Sequence, residues 1–203
     1  MKYYDITIPI SEATPEWPGD TAYRREERQT SAIVSKITMS SHFGTHVDAP
    51  RHFLFHKASV DKLALEKLTG KFRVAESKAF PLIPLSDVQK LNVKPGDKIL
   101  FKTRNARLNT KPQFTADYAS LSLEAAKYLA AKKIALVGID YFGIEAKSAP
   151  GHPVHLALLS KGVVVVEGLN LNAVKPGTYQ GAILPMKITG GDGAPARAVL
   201  WKQ

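Results

Sequence analysis

In the N-terminal part of the chain, short stretches alternate between hydrophobic and polar positions, as β-strands do. Residues 3–10 and 31–40 are rich in β-branched side chains and alternate in part, which predicts two strands. A Trp-Pro-Gly-Asp run within residues 16–20 predicts a turn between them. Apolar residues recur over residues 60–68 between Ser59, a suitable N-cap, and a Thr-Gly pair, which predicts a short helix.

Helical and strand patterns follow one another in the rest of the chain. Residues 122–133 are the clearest predicted helix, because Ser122 can cap it and lysines fill its last turn. The apolar runs at 134–139 and 163–166 predict buried strands. Further patterns predict helices at 87–91 and 153–160, and strands at 98–103, 179–188 and 196–201. Strands outnumber helices, so the expected class is α/β, with a β-rich mixed sheet or distorted barrel and flanking helices.

The composition of the chain limits the number of domains, the types of metal ligand and the cellular location that we expect. The 203 residues contain no linker or internal repeat, which predicts a single domain over residues 1–203. Cysteine is absent, so any metal would be held by nitrogen and oxygen ligands alone. The N-terminus lacks the apolar segment of a signal peptide, and no apolar run approaches membrane-spanning length. We therefore expect a cytoplasmic protein with no membrane partner.

The net charge of +10 raises the question of a nucleic-acid partner. Lysines and arginines are spread along the whole chain, and neither a recognition-helix motif nor an aromatic RNA-binding signature is present. A solvated basic surface is the favoured interpretation, and no nucleic-acid partner is expected. Such a surface would also attract an anionic small molecule.

Four side chains suited to metal binding lie within eleven residues: His42, His46, Asp48 and His52. In an extended strand, two histidines four positions apart would lie about 13 Å from each other at Cα, too far to share an ion easily. One helical turn would place their Cβ atoms roughly 6 Å apart. A nearby glycine and proline favour a bent backbone. We therefore predict a tight turn on which His42, His46 and Asp48 converge.

The three converging side chains would leave a coordination position for water, which is the pattern of a catalytic metal site. Water bound to such an ion has a pKa of about 7 and becomes a nucleophile near neutrality. His52 would then be free to transfer protons, since its ordinary pKa lies close to physiological pH.

Glu167 is a second carboxylate that draws attention, because it follows the apolar run at 163–166. A carboxylate in that place must be paired, hydrogen-bonded or metal-bound, unless the strand reaches the surface there. His155, on the preceding predicted helix, is its expected partner.

The run His42-Phe-Gly-Thr-His-Val-Asp-Ala-Pro-Arg-His-Phe53 resembles the signature of the cyclase family, which includes bacterial kynurenine formamidases. The resemblance extends to the tryptophan turn at Trp17, to the strand ending at Asp140, and to the C-terminal run at 184–197. His155 and Glu167 stand at matching spacing. Residues 140–155 are more similar to the broader cyclase-like branch than to the dedicated formamidases.

The resemblance implies a swivelling β/β/α-like cyclase fold, a homodimer or higher homo-oligomer, and a small-molecule substrate. It implies one or two divalent ions, Zn²⁺ first and Mn²⁺ as the alternative. His42, His46 and Asp48 match the ligands of a first ion, and Asp48 would bridge to a second ion held by His155 and Glu167. His52 matches the catalytic acid/base. Trp17 matches a substrate-contacting wall, although an ordinary core or turn aromatic is an equally good interpretation.

The sequence thus predicts a metal-dependent hydrolase of a non-peptide C–N bond. The leading hypothesis is an arylformamidase acting on N-formylkynurenine, in tryptophan breakdown. An isatin-like cyclic amide is the enzymatic alternative. A non-catalytic metal- or anion-binding protein is the alternative from another class.

Overall fold

The computed structural model describes residues 1–109, 111 and 113–202. The described residues form twelve strands, four α-helices and three short 3-10 helices. The strands are β1 (Lys2–Asp5), β2 (Arg24–Gln29), β3 (Ile33–Thr38), β4 (His46–Asp48), β5 (Thr69–Glu76), β6 (Leu82–Ile83), β7 (Lys98–Lys102), β8 (Ser120–Leu121), β9 (Leu136–Ile139), β10 (Val164–Glu167), β11 (Gly177–Pro185) and β12 (Gly193–Lys202). The helices are α1 (Leu65–Leu68), α2 (Leu85–Gln89), α3 (Leu123–Ala131) and α4 (Pro153–Leu159), and the 3-10 helices are Pro50–His52, Val60–Lys62 and Arg104–Arg107.

The main sheet closes on itself into a barrel. Its strand order is β1-β12-β11-β5-β7-β9-β10-β4, and β12 also pairs with β4. In the described part of the chain, seven strands therefore form a closed ring, and β1 lies beside β12 outside that ring. The pairs β5–β7, β7–β9 and β9–β10 are parallel, whereas the other pairs of the ring are antiparallel. This mixed, β-rich barrel confirms the fold class predicted from the sequence.

Two apolar layers use opposite faces of the same strands. Leu100, Leu136 and Val166 belong to the layer inside the barrel. Their alternating neighbours, such as Phe101 and Val165, pack outside against α2, α3 and α4. Because side chains of a strand point to opposite faces in turn, Glu167 shares the outer, helix-covered face with Val165. The barrel thus presents the Glu167 carboxylate towards the helices.

The parallel strands are joined through helices, in the order β5-α2-β7-α3-β9-α4-β10. Parallel strands need such crossover connections, and ligands of open parallel sheets commonly bind beyond the carboxyl ends of the strands. The carboxyl ends of β9 and β10 are followed here by the segments that hold Asp140 and Gly168. Longest among the helices in the described residues is α3, with nine residues, and no helix there is long and apolar enough to cross a membrane.

Most of the predicted elements are confirmed. The helix predicted at 122–133 is α3, and the Ser122 hydroxyl accepts a hydrogen bond from the Ala125 amide, as expected for an N-cap. The helix ends at Ala131, so the lysines at 132 and 133 follow its last turn and do not fill it. The helix predicted to open at Pro153 is α4. The predicted strands at 98–103, 134–139 and 163–166 are β7, β9 and β10, and the C-terminal pair is β11 and β12.

The structure corrects several local predictions. The strand predicted at residues 3–10 is shorter, since β1 ends at Asp5. Residues 60–68 do not form one helix, because the 3-10 turn at Val60–Lys62 is separated from α1 by extended backbone at Leu63. The hydroxyl of Ser59 donates to Asp61 instead of capping a helix. The tight turn predicted for residues 42–48 is also wrong in its second half, since residues 46–48 form strand β4.

Candidate metal centre and active site

The pairing of β4 with β10 brings the side chains of His46, Asp48 and Glu167 together. The two strands are antiparallel, with His46 directly opposite Glu167 and Asp48 opposite Val165. Residues two apart on a strand share a face, so the side chains of His46, Asp48 and Glu167 all lie on the outer face of the barrel. His46 Nε2 lies 3.4 Å from Asp48 Oδ1 and 3.4 Å from Glu167 Oε2. All three residues are buried.

Glycine at position 168 lets the backbone of residues 44 and 45 approach the end of β10. Gly168 has a φ of +68°, and a Cβ atom there would collide with the backbone of Gly44. The Thr45 hydroxyl donates to the Gly168 carbonyl at the same point and accepts from the Ile8 amide. These contacts hold the segment that precedes His46 against the residue that follows Glu167.

His42 lies in the bend before β4 and turns back towards Asp48. Its Nδ1 lies 2.9 Å from Asp48 Oδ1, and its ring centroid is 5.1 Å from that of His46. On the other side, His42 Nε2 lies 2.9 Å from Asp192 Oδ2. Because of this bend, the rings of His42 and His46 lie much closer together than they would on a continuous strand through residues 42–48.

His155 reaches the same cluster from the first turn of α4. Its Nε2 lies 3.2 Å from Glu167 Oε1 and 3.7 Å from Asp48 Oδ2. Its Nδ1 lies 2.7 Å from Glu145 Oε2. Glu145 also accepts a hydrogen bond from the Val154 amide at the start of α4, so one buried carboxylate fixes both the helix start and the ring.

The three histidines follow one pattern. One ring nitrogen of each faces Asp48 or Glu167, and the other meets a hydrogen-bond acceptor. That acceptor is Asp192 for His42, the Gly44 carbonyl for His46 at 3.0 Å, and Glu145 for His155. A remote acceptor of this kind fixes the orientation and tautomer of metal-binding histidines.

The two carboxylates at the centre stay ionised. Burial and the Glu167 charge would raise the pKa of Asp48, but the hydrogen bond and charge of His42 outweigh them and lower it. Burial would likewise raise the pKa of Glu167, but hydrogen bonds from His155 and His46 hold it well below its ordinary value. Within the described residues, the cationic partners of both carboxylates are histidines.

Protons on two imidazoles balance that negative charge. Burial would lower the pKa of His42, but its hydrogen bonds to Asp192 and Asp48 raise it to about 10. Burial would also lower the pKa of His155, but its hydrogen bonds to Glu145 and Glu167 raise it to about 10. The buried carboxylates are therefore stabilised by positive charge. In the metal-free protein, the protons on His42 and His155 supply that charge.

The donor set fits a divalent cation. In two trios, His42–Asp48–His52 and His46–Asp48–Glu167, one ligand atom from each residue lies within 4.8 Å of the other two. These atoms are imidazole nitrogens and carboxylate oxygens, the set that suits Zn²⁺ and Mn²⁺. A third trio, Glu145–His152–His155, lies beside them.

His52 stands at the edge of this cluster, at the end of the 3-10 helix Pro50–His52. Its ring centroid is 4.0 Å from that of His42, and its side chain keeps 27% of its surface exposed. Burial lowers the pKa of His52 below its ordinary value, although the Asp48 charge opposes the change. His52 is thus the partly open imidazole of the group.

A cleft of about 250 Å³ opens onto the cluster. Aromatic side chains form part of its wall: Trp17, Phe53 and Phe142. Trp17 packs edge-on against Phe114, with ring centroids 5.0 Å apart. Space for its indole depends on Gly143, where a Cβ atom would lie 2.9 Å from Trp17 Cζ3.

The structure brings together all the residues that the sequence singled out. His46, Asp48, His155 and Glu167 form a buried cluster that the half-buried His42 joins, His52 borders it, and Trp17 lines the cleft. Two carboxylates that touch the cluster were given no role from the sequence: Asp192, within the C-terminal run, and Glu145. Asp192 has no other candidate ligand near it in the chain, so adjacency could not single it out. Glu145 lies within eleven residues of His152 and His155, a spacing that could have drawn it into the candidate set.

Comparison with known proteins agrees with the sequence resemblance. The Cyclase family model matches residues 4–146. The kynurenine formamidase of Salinibacter ruber is 34% identical to this chain, and the alignment covers 98% of this chain and 97% of that protein. The kynurenine formamidase of Geobacillus thermodenitrificans is 33% identical over the same shares of the two chains.

Solved structures give the same result. A structure described as a predicted metal-dependent hydrolase from Bacillus stearothermophilus is 36% identical, with a TM-score of 0.88 over 98% of this chain and 97% of that one. Isatin hydrolase A from Ralstonia solanacearum has the same fold at 19% identity, with a TM-score of 0.85 over 98% of this chain and 91% of that one. The match of the family model, together with full-length relatives above 30% identity, establishes that this chain belongs to the Cyclase family.

Proposed function

We propose that this protein is a metal-dependent hydrolase of a non-peptide C–N bond, and that N-formylkynurenine is its leading substrate. One observation carries the proposal: a buried His/Asp/Glu cluster and a partly exposed histidine, His52, face the same aromatic-walled cleft. The names of the relatives agree with it. Such an activity would belong to tryptophan breakdown.

The oxygens of Asp48 support the proposal of two neighbouring metal positions. Oδ1 lies 2.9 Å from His42 Nδ1 and 3.4 Å from His46 Nε2, whereas Oδ2 lies 3.7 Å from His155 Nε2. His42, His46 and Asp48 would hold one ion, and Asp48, His155 and Glu167 a second. Zn²⁺ is the first choice, with Mn²⁺ as the alternative, because nitrogen and oxygen ligands suit both.

The chemistry requires water to add across the C–N bond, so that the carbonyl carbon keeps the new oxygen and the nitrogen leaves with a proton. A divalent ion held by this set supplies Lewis acidity and brings water towards deprotonation near neutral pH. His52 moves the proton. Its Nδ1 faces Asp192, and its Nε2 remains to accept a proton from water and to return it to the departing nitrogen.

The cleft suits a small aryl amide. Trp17, Phe53 and Phe142 present apolar and aromatic surface on which an aryl ring can pack. A formyl group is small enough to reach a buried cluster, and N-formylkynurenine combines it with an aryl ring. An isatin-like cyclic amide also joins an amide carbonyl to an aryl ring and is the alternative substrate. Homo-oligomerisation and cytoplasmic location stay predictions from the sequence.

The test is a steady-state assay of the Zn²⁺- and Mn²⁺-loaded protein on N-formylkynurenine and on isatin. We expect hydrolysis of the former, and a loss in His52→Ala on the order of 10²- to 10⁴-fold in kcat with the metal content retained. His56→Ala is the matched control, because His56 is an exposed histidine four positions away. Failure of the wild type to hydrolyse either compound would overturn both substrate assignments.

A further inference from the structure

Asp192 is a carboxylate outside the proposed ligand set that lies beside both His42, a proposed ligand, and His52, the proposed acid/base. Its Oδ2 atom lies 2.9 Å from His42 Nε2 and 3.6 Å from His52 Nδ1. The same oxygen thus faces the proposed metal ligand and the proposed acid/base. The two rings lie only 4.0 Å apart between centroids, tilted by 33°.

Two hydrogen bonds, one to the main chain and one to the side chain, hold Asp192 beside residues 41–49. Its carbonyl accepts a hydrogen bond of 2.9 Å from the Ala49 amide, and its Oδ1 accepts one of 3.1 Å from the Ser41 hydroxyl. The next residue, Gly193, pairs with Asp48 across β12 and β4. These contacts direct Oδ2 towards the two imidazoles, although the side chain keeps 44% of its surface exposed.

Gly193 makes room for this arrangement. A Cβ atom at position 193 would lie 2.7 Å from His42 Cε1 and 2.8 Å from the Val47 carbonyl oxygen. A side chain there would force the His42 ring away from Asp192. Both residues of the Asp-Gly pair are therefore needed: Gly193 leaves space for the His42 ring, and Asp192 accepts a hydrogen bond from it.

We propose that Asp192 is a positioning residue that holds His42 and His52 together and keeps His52 in the tautomer with the proton on Nδ1. This rests on the proposed function, in which His52 transfers protons. A carboxylate beside Nδ1 favours a proton there and leaves Nε2 as the acceptor that faces substrate. The present distance of 3.6 Å is longer than a hydrogen bond, and contacts of this kind often shorten when substrate binds.

The competing explanation is that Asp192 only anchors its loop. Asp61 provides the matched control, because it anchors the same loop without touching a histidine. It accepts a hydrogen bond of 3.0 Å from the Gly190 amide and one of 2.6 Å from the Ser59 hydroxyl. Asp61→Asn therefore weakens the loop while leaving the histidine contacts of Asp192 in place.

The experiment measures the imidazole ¹⁵N signals of the Zn²⁺-loaded protein with labelled histidine, for wild type, Asp192→Asn and Asp61→Asn. The chain has six histidines, and His52→Ala assigns the His52 signals. We expect Asp192→Asn to move the His52 signals away from the Nδ1–H pattern, and Asp61→Asn to leave them unchanged. In turnover assays, Asp192→Asn should lower kcat by roughly 10- to 100-fold with little change in KM.

Ser41→Ala is a second, milder variant that frees one carboxylate oxygen, and it should shift the same signals in the same direction by a smaller amount. It keeps the proposal testable if Asp192→Asn does not fold. Unchanged His52 signals in whichever of the two variants folds would overturn the proposal, and so would equal shifts in Asp61→Asn. The ¹⁵N result does not require turnover, so an inactive wild type would overturn the proposed function while this test still decides the role of Asp192.

Discussion

Nδ1 of His155 lies 2.7 Å from Oε2 of Glu145, and both residues are buried. Glu145 therefore accepts a hydrogen bond from the ring nitrogen that faces away from the cluster. The opposite nitrogen, Nε2, is left facing Glu167 and Asp48. The orientation of one proposed ligand thus depends on a carboxylate ten positions earlier in the chain.

Glu145→Gln should weaken metal binding. The amide can accept a hydrogen bond from His155 but carries no charge, so the ring is held less firmly and becomes a poorer ligand. Loss of such a supporting group typically costs on the order of 10- to 100-fold in metal affinity. Competition of the metal-free variant with a chelating dye for Zn²⁺ measures the effect.

Glu124→Gln is the control for this substitution, since Glu124 lies exposed in the first turn of α3. It makes the same chemical change away from the cluster and should leave the Zn²⁺ affinity as in the wild type. Equal affinities for wild type and Glu145→Gln would show that Glu145 serves only the start of α4.

Metal binding should release protons near neutral pH. His42 and His155 have pKa values raised to about 10 in the protein without metal, so both carry a proton at pH 7. A protonated nitrogen cannot bind an ion, and binding must therefore displace it. Calorimetric titration with Zn²⁺ in buffers of different ionisation enthalpy measures the protons released, and the apparent affinity should rise from pH 6 to pH 8. An affinity independent of pH would contradict this charge assignment.

The metal-free protein should lose stability as the pH rises from about 7 towards 10. The folded pKa of His42 and of His155, about 10, lies above the ordinary value of 6.5. Their contribution is therefore complete below pH 6.5 and is lost as the pH rises through the folded pKa. Urea unfolding at a series of pH values follows the change in the free energy of unfolding.

The Zn²⁺-loaded protein is the control for this pH series, because a metal-bound imidazole has no such proton to lose. Its stability should change less across the same window. Parallel curves with and without Zn²⁺ would mean that the two histidines do not exchange protons for metal.

Trp17→Ala should raise KM more than it lowers kcat for an aryl substrate. The indole lines the cleft and contributes apolar surface, but it is not one of the cluster residues. Trp201→Ala is the matched control, because Trp201 packs beside Tyr3 on the outside of the barrel. Equal KM values for wild type and Trp17→Ala would favour the alternative interpretation of Trp17 as an ordinary packing residue.

The local elements of the fold were predictable because their signals lie within a few residues. Ser122 and the lysines that follow mark both ends of α3, and the valine run at 163–166 marks β10. Strand β4 was missed because its three residues, two of which are proposed metal ligands, are too few to show a strand pattern of their own. Its extended conformation comes from pairing with β10 and β12, which are more than a hundred positions away.

The sequence by itself determined the chemistry of the cluster and its family. Four candidate side chains within eleven residues can be recognised without a structure, because so short a segment needs only a bend to bring them together. Only the tertiary structure decided how they are used. The antiparallel register sets His46 beside Glu167, and closure of the barrel brings Asp192 to His42 across 150 positions. Contacts of that range are selected by strand pairing and burial, and no local pattern of residues records them.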